Sequence, residues 1–181
     1  MSAQATPDLT PEVVRQLSEE RDEPDWLLEA RLEALEAYPD LDFPAVIRTP
    51  GRQWTNLEGL DYESLVDPLN QAEETTIEAP DGIDVLPFHE ALAEHDELVR
   101  ERFGSVVSPH ENRLTALSTA LFTAGTVVVV RERVDAEDVT IRTTMNARSL
   151  FDYTLVVTEE SSSVTILERQ STGADVESEA G

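Results

Sequence analysis

The 181-residue chain contains no cysteine and no lysine. Lack of cysteine excludes disulfides, thiolate catalysis and cysteine-ligated zinc or iron–sulfur centres within this chain. Long apolar runs are also missing: no stretch reaches the roughly eighteen residues that a membrane helix needs. The opening "MSAQATPDLT" has neither a basic segment nor an apolar one, so it does not read as a secretion signal, and a cytoplasmic protein is expected. Aromatic residues make up 6% and apolar residues 40%. That suffices for one modest core, or slightly more than one domain.

Acidic residues are abundant. Thirty-eight carboxylates face thirteen cationic side chains, all arginine, for a formal net charge of −25. Such a charge weakens a compact state through self-repulsion. In molar salt the Debye length falls to about 3 Å and the repulsion is screened. A halophilic acidic protein of a salt-rich cytoplasm is one reading, and an acidic interaction protein is the other. The acids are interleaved with apolar positions rather than blocked together, which favours the salt reading. On either reading nucleic acid and anionic membrane are not expected as partners.

Residues 1–9 are expected to be disordered. Thr10 is a helix cap with Pro11 at the first position and Glu12 in the first turn; Val13, Val14 and Leu17 supply the apolar side, and the helix fades near Glu20. "RDEPDWLLEARLEALEAY", residues 21–38, predicts a second helix. Pro24 suits its first turn, Asp25 complements its dipole, and Pro39 stops it. Trp26, Leu28, Leu32 and Leu35 fall near one face. Residues 39–87 are punctuated by proline and read as a linker, with short extended pieces at Val46–Arg48 and Val85–Pro87. A third helix is predicted over 88–102, with Ala91, Leu92, His95, Leu98 and Val99 inward and Gly104 as its stop. A fourth is predicted over 110–122, closed by Gly125. The period then changes. "GTVVVV", "DVTIRTT", "YTLVVTEE" and "SVTILER" are four short strands at roughly eleven-residue spacing, which fits a sandwich, a barrel or a solenoid. The domain reading is therefore a mainly helical region over 10–124, strands over 125–170, and an acidic disordered tail over 171–181.

No catalytic pattern stands out. "HEALA" begins like a zinc-peptidase motif, but alanine occupies position 93, where the second histidine belongs. His89 and His95 lie about 240° apart round a helix, and His110 stands alone. No GxSxG surrounds a serine, and Ser161–Ser163 read as a turn. No glycine loop precedes a lysine. Carboxylates are so numerous that no pair is distinguished as an acid–base couple. Trp26 reads as a packing anchor, and Arg31 can reach Glu23 or Asp25 in an ion pair of the kind that usually adds little. A hydrolase with an unrecognised carboxylate pair is the weakest of the readings.

"LTPEVVRQLSEERDEPDWLLEARLEAL", residues 9–35, resembles the N-terminal helical region of the SufB/SufD family of iron–sulfur cluster assembly proteins. The resemblance rests on Glu23, Pro24, Trp26 and Arg31, which match the family's Glu-Pro-x-Trp and the arginine five residues on. "SPHENRLTALSTALFTAGTVVVVRERVDAEDVTIRT" and "SLFDYTLVVTEESSSVTILERQSTG" resemble the family's entry into its β-helix, the SufD branch most. The resemblance covers most of residues 9–173. It implies an α+β fold, with an N-terminal helical region followed by the first rungs of a right-handed β-helix. It implies a non-catalytic scaffold component of a SufBCD-type complex, with a SufB-like protein and, indirectly, a SufC-like ATPase as partners. No catalytic or metal residue is carried over, and this chain alone is expected to hold no cofactor.

Family members are about twice this length or more, so further rungs and a terminal helical segment would be expected after Glu168. Arg131-Glu132-Arg133 also stands where the family tends to have a proline-containing turn. A truncated or degenerate paralogue acting only as an acidic interaction module is the alternative. On the expectation of an uncapped last rung, Val164, Ile166 and Leu167 face an incomplete core, and association follows, as a homodimer or with a SufB-like chain.

Overall fold

Thr10 starts the first helix as its sequence predicts. In the computed structural model, which describes residues 9–44, 66–69, 73–147 and 149–173, its backbone is extended and its hydroxyl accepts the Val13 N–H at 3.4 Å. Helix α1 spans Pro11–Glu20 and buries Val14, Leu17 and Ser18. Leu9, assigned from sequence to a disordered start, packs against the core beside it. Asp22, at φ 50°, turns the chain into α2, Asp25–Ala37. Pro24 is the N-cap of α2, one position earlier than a first-turn residue, and a single 3-10 turn over Tyr38–Asp40 follows the helix.

The buried stripe of α2 corrects the sequence reading. It consists of Leu27, Arg31, Ala34 and Leu35. Trp26, Leu28 and Leu32 are only half-buried at its margins. The face is rotated by about one residue because Arg31, which hydropathy assigns to solvent, lies in its middle.

The predicted third helix is two helices, α3 (Phe88–Glu94) and α4 (Asp96–Arg102). His95 breaks them with a non-helical backbone, φ −131° and ψ 31°. The break lets Asp96 open α4 facing the Trp26 indole, which donates to it at 2.9 Å. Helix α5, Arg113–Leu121, starts three residues later than expected, at a capping box. The Asn112 side chain accepts the Leu114 and Thr115 N–H groups, and the Thr115 hydroxyl accepts the Asn112 N–H. This satisfies donors that a helix start otherwise leaves open.

Six strands follow two layers. Strand β1 (Glu73–Glu78) and β2 (Ile83–Pro87) are joined by a turn that uses Gly82 at φ 95° and lie in different sheets. Strand β2 matches the expected extended piece near Val85. Strand β1 lies inside the stretch read as linker, and Val46–Arg48 lies outside the described residues. The predicted strands are β3 (Ala124–Val130), β4 (Asp135–Met145), β5 (Asp152–Thr158) and β6 (Ser163–Thr172). The last runs two residues into the expected tail.

One sheet has the order β1-β4-β6 and the other β2-β3-β5. Strands β3 and β5 pair in parallel, as do β4 and β6. Ala124 meets Asp152 and Asp135 meets Ser163, so the chain returns beside itself 28 residues on. On the other side of each pair, β1 runs antiparallel to β4 and β2 antiparallel to β3. The result is mixed α+β with two small mixed sheets.

The run "VVVV" follows from these layers. Val127 and Val129 point to a core shared with Leu27, Phe88, Ala91, Val99, Phe122 and Leu155. Val128 and Val130 point the other way, into a core with Val139 and Ile141 between the sheets. Both faces of β3 are buried, so alternation disappears. A third core joins α1, α2 and α5 through Val14, Ala34, Leu35, Leu117 and Leu121. Gly125 is not the helix stop expected of it. It lies in β3, where a Cβ would overlap the Tyr153 carbonyl oxygen of β5, so the parallel pairing itself requires glycine.

Candidate functional site: the junction of helices and strands

Helix α5 ends at Leu121, and its last carbonyls have no partner within the helix. Arg31 of α2 fills that place. Its Nη1 donates to the Thr119 and Ala120 carbonyls at 3.4 and 3.2 Å, and its Nη2 to the Phe122 carbonyl at 2.9 Å. Glu23, in the turn before α2, takes the opposite edge of the same guanidinium. Nε reaches Glu23 Oε2 at 2.8 Å and Nη2 reaches Oε1 at 2.6 Å. The guanidinium carbon lies 4.0 Å from the Phe122 ring centroid.

The Arg31 side chain is wholly buried and that of Glu23 is 4% exposed. Burial pushes the Arg31 guanidinium below its ordinary value, and the bonds and charge of Glu23 push it back up. A buried charge is tolerated only when it is paired and hydrogen-bonded, and both conditions hold here. The negative end of the α5 dipole adds to the attraction. One planar cation therefore ties α1's exit, α2, the end of α5 and the entry to β3.

Trp26 lies one turn earlier on α2. Besides its bond to Asp96, its ring meets Phe103 edge-on with centroids 5.7 Å apart. Phe103 stacks on Tyr153 of β5 at 4.7 Å, and Phe88 meets Phe122 edge-on at 5.0 Å. The Tyr153 hydroxyl accepts the Gly104 N–H at 3.0 Å. Burial raises the Tyr153 pKa, and the Gly104 donor partly offsets that rise. Aromatic pairs of this geometry add about 0.5–1.5 kcal/mol each beyond the area they bury. The cluster packs α2, α3 and α4 onto the first and second parallel strands.

The structure thus brings Glu23, Pro24, Trp26 and Arg31 together. Val164 and Ile166 are not with them. They lie on β6, half-buried against the core between the sheets, while Leu167 faces outward at 48% exposure. Asp96, Phe103, Phe122 and Tyr153 were not legible as members of the junction. Arg31 had one signal, its place at the centre of an otherwise apolar i, i+4, i+8 series on α2.

The junction's polar groups are engaged with one another, so its geometry is that of a mount. Elsewhere, His89 and His110 are exposed. His95 lies 3.5 Å from Asp84, which also meets Arg131 at 3.3 Å. Among the described residues no group of three or more metal-capable side chains occurs, and no helix is long and apolar enough to cross a membrane.

A mixed α+β protein in which a helical layer is pinned through Arg31 above two small mixed sheets is the class that this geometry defines. No family model matches the chain. Its similarities to individual proteins are specific. It is 28% identical over 88% of its length to an iron-sulfur cluster assembly SufBD family protein of Synechocystis, of which it covers 43%. It is 29% identical over 87% of its length to the iron-sulfur cluster assembly protein SufD of Bacillus subtilis, covering 44% of that protein. The SufB of the same organism is 24% identical over 88% of this chain, with 43% of SufB covered. These similarities support a SufB/SufD-family assignment for this chain. The chain spans less than half the length of the curated relatives it matches.

Proposed function

We propose that the chain is a SufD-like, non-catalytic scaffold component of iron–sulfur cluster assembly, acting in a SufBCD-type complex. The observation that carries this reading is the similarity to SufD and SufB over nearly nine-tenths of the chain. The geometry supports it. Glu23, Trp26 and Arg31, the residues that carry the family resemblance, are the ones that join helices to strands. Their side chains are consumed in holding the fold, as a scaffold requires.

On this reading β3–β4 and β5–β6 are the first two coils of a right-handed β-helix, with the 28-residue return as its repeat. Its partners are a SufB-like chain and, through it, a SufC-like ATPase. The protein works in a salt-rich cytoplasm, where its charge is screened. A cluster is cargo of the assembled complex, and this chain supplies shape to that complex.

Co-purification tests the proposal. Tagged chain is recovered from native extract in molar potassium chloride, and the eluate is identified by mass spectrometry. SufB-like and SufC-like proteins are expected in the eluate. Recovery of the chain without either, from extract in which both are detected, would contradict the reading.

A further inference from the structure

The turn between β1 and β2 reads "APDGI", residues 79–83. Proline presets one backbone angle of such a turn, and glycine supplies the positive φ that other residues resist. Gly82 takes φ 95° there, a conformation that strains any side chain whatever the space around it. The fold therefore needs glycine at 82. Asp81 precedes it, and no other aspartate or asparagine of the chain is followed by glycine.

An aspartyl–glycyl bond is open to a reaction that other neighbours hinder. The backbone nitrogen of the glycine attacks the side-chain carboxyl carbon of the aspartate. The amide proton and the carboxyl hydroxyl leave together as water, and a five-membered succinimide closes. One water then adds back at either ring carbonyl. Opening at the side-chain carbonyl restores aspartate. Opening at the main-chain carbonyl leaves isoaspartate, in which the chain runs through the former side chain. One water is lost and one is gained, so no oxidant or cofactor is required. A Cβ on the following residue crowds the attack, and glycine has none.

The turn leaves the reacting atoms accessible. Asp81 and Gly82 are both exposed, and a Cβ built on Gly82 would meet nothing within 4 Å. Among the described residues the Gly82 N–H has no hydrogen-bond partner. Strands β1 and β2 flank β4 and β3 on the sides away from β6 and β5. Strands added beside β5 or β6 would therefore not cover this turn. Asp84, three residues on, is the contrast. It lies within β2 opposite Val129, its carboxylate is beside His95 and Arg131, and β-branched Val85 follows it.

We propose that Asp81 is a modification site, converting to isoaspartate in the folded chain through a succinimide formed with Gly82. The product carries one more backbone carbon in the link between the two sheets. Glu78 at one end of that link is paired opposite Thr140, and Ile83 at the other opposite Val130. The added length falls between two fixed registers. The proposal does not depend on the assembly role.

Incubation of the full chain at 37 °C in 2 M potassium chloride made up in heavy-oxygen water tests it. Glu-specific digestion releases residues 79–90, which hold both Asp81 and Asp84. Mass spectrometry with electron-transfer fragmentation then locates isoaspartate and the oxygen taken from water. Over weeks isoaspartate is expected at position 81, with one heavy oxygen, and none at 84. Its rate in the folded chain should lie within about tenfold of that in urea. Asp81→Glu keeps the charge at an exposed position and can close only a slower six-membered ring, so it should abolish the signal. Circular dichroism confirms its fold. Conversion at 81 that is more than about tenfold slower in the folded chain than in urea would overturn the proposal. So would equal conversion at Asp84, which would mark unfolding as the route, or a signal that persists in Asp81→Glu.

Discussion

Glu23 and Arg31 face each other across eight residues of chain and meet in a two-pronged, almost fully buried ion pair. Their contact is fork to fork, and the remaining Arg31 donors close the end of α5. Removing one charge leaves the other buried without its partner, which typically costs about 3–5 kcal/mol. Glu23→Ala and Arg31→Ala should each destabilise by that order. The double variant should cost much less than the two together. Urea titration at high salt measures all three, and additive effects would show that the pair is not coupled.

Arg31→Lys is expected to be nearly as damaging as truncation. An ammonium keeps the charge but cannot bond Glu23 and three carbonyls from one plane. Hydrogen exchange in α2 and at the end of α5 is the readout. Unchanged protection in both would contradict the bridging role.

Trp26 is half-buried, so its truncation should fall below the range of a fully buried aromatic. Trp26→Ala is expected to cost about 2–3 kcal/mol, against roughly 3–5 kcal/mol for full burial. Trp26→Phe keeps the ring and loses the bond to Asp96, and should cost about 1.5 kcal/mol. Denaturation midpoints separate the two variants, and equal costs would show that only the hydrogen bond matters.

Much of this architecture was legible in the sequence. Thr10-Pro11 marks the start of α1, Pro39 marks the end of α2, and the four strands from Ala124 to Thr172 follow the change in hydrophobic period at Gly125. What was not legible depends on partners distant in sequence. Strand β1 gains its place by pairing with β4, about 67 residues on, and its own acidic, threonine-rich sequence shows little. The bond that Asp96 makes just after the break at His95 comes from an indole 70 residues away. Burial of Arg31 depends on carbonyls up to 91 residues away. Hydropathy scales assign arginine to solvent because they do not see such partners. Gly125 reads locally as a stop and is needed instead for the approach of β5.

Tyr153 gives the stability curve an alkaline edge. Its pKa is raised in the fold, chiefly by burial, so the fold favours the neutral phenol. The stabilisation is present below the ordinary tyrosine value of about 10 and is lost as pH rises through the folded value. Stability should therefore fall above about pH 10, and Tyr153→Phe should flatten that fall. Melts between pH 8 and 11.5 test this, and an identical alkaline decline in the variant would contradict it.

Net charge sets the salt response. Screening of the −25 charge should raise the melting temperature steadily from dilute buffer to molar potassium chloride. Each kcal/mol of repulsion relieved is worth roughly 2–4 °C at this chain length. A melting temperature that stays flat or falls over that range would refute the salt-adapted reading.

The scaffold proposal is tested most directly by assembly from purified parts. The chain is mixed with SufB-like and SufC-like proteins of the same organism in 2 M potassium chloride, and mass is measured by light scattering across a sizing column. The account predicts co-elution in a single complex that contains this chain and the SufB-like protein, and loss of the chain from it when Arg31→Ala loosens the junction. Elution of the chain at its own mass, while the SufB-like and SufC-like proteins still bind each other, would contradict it.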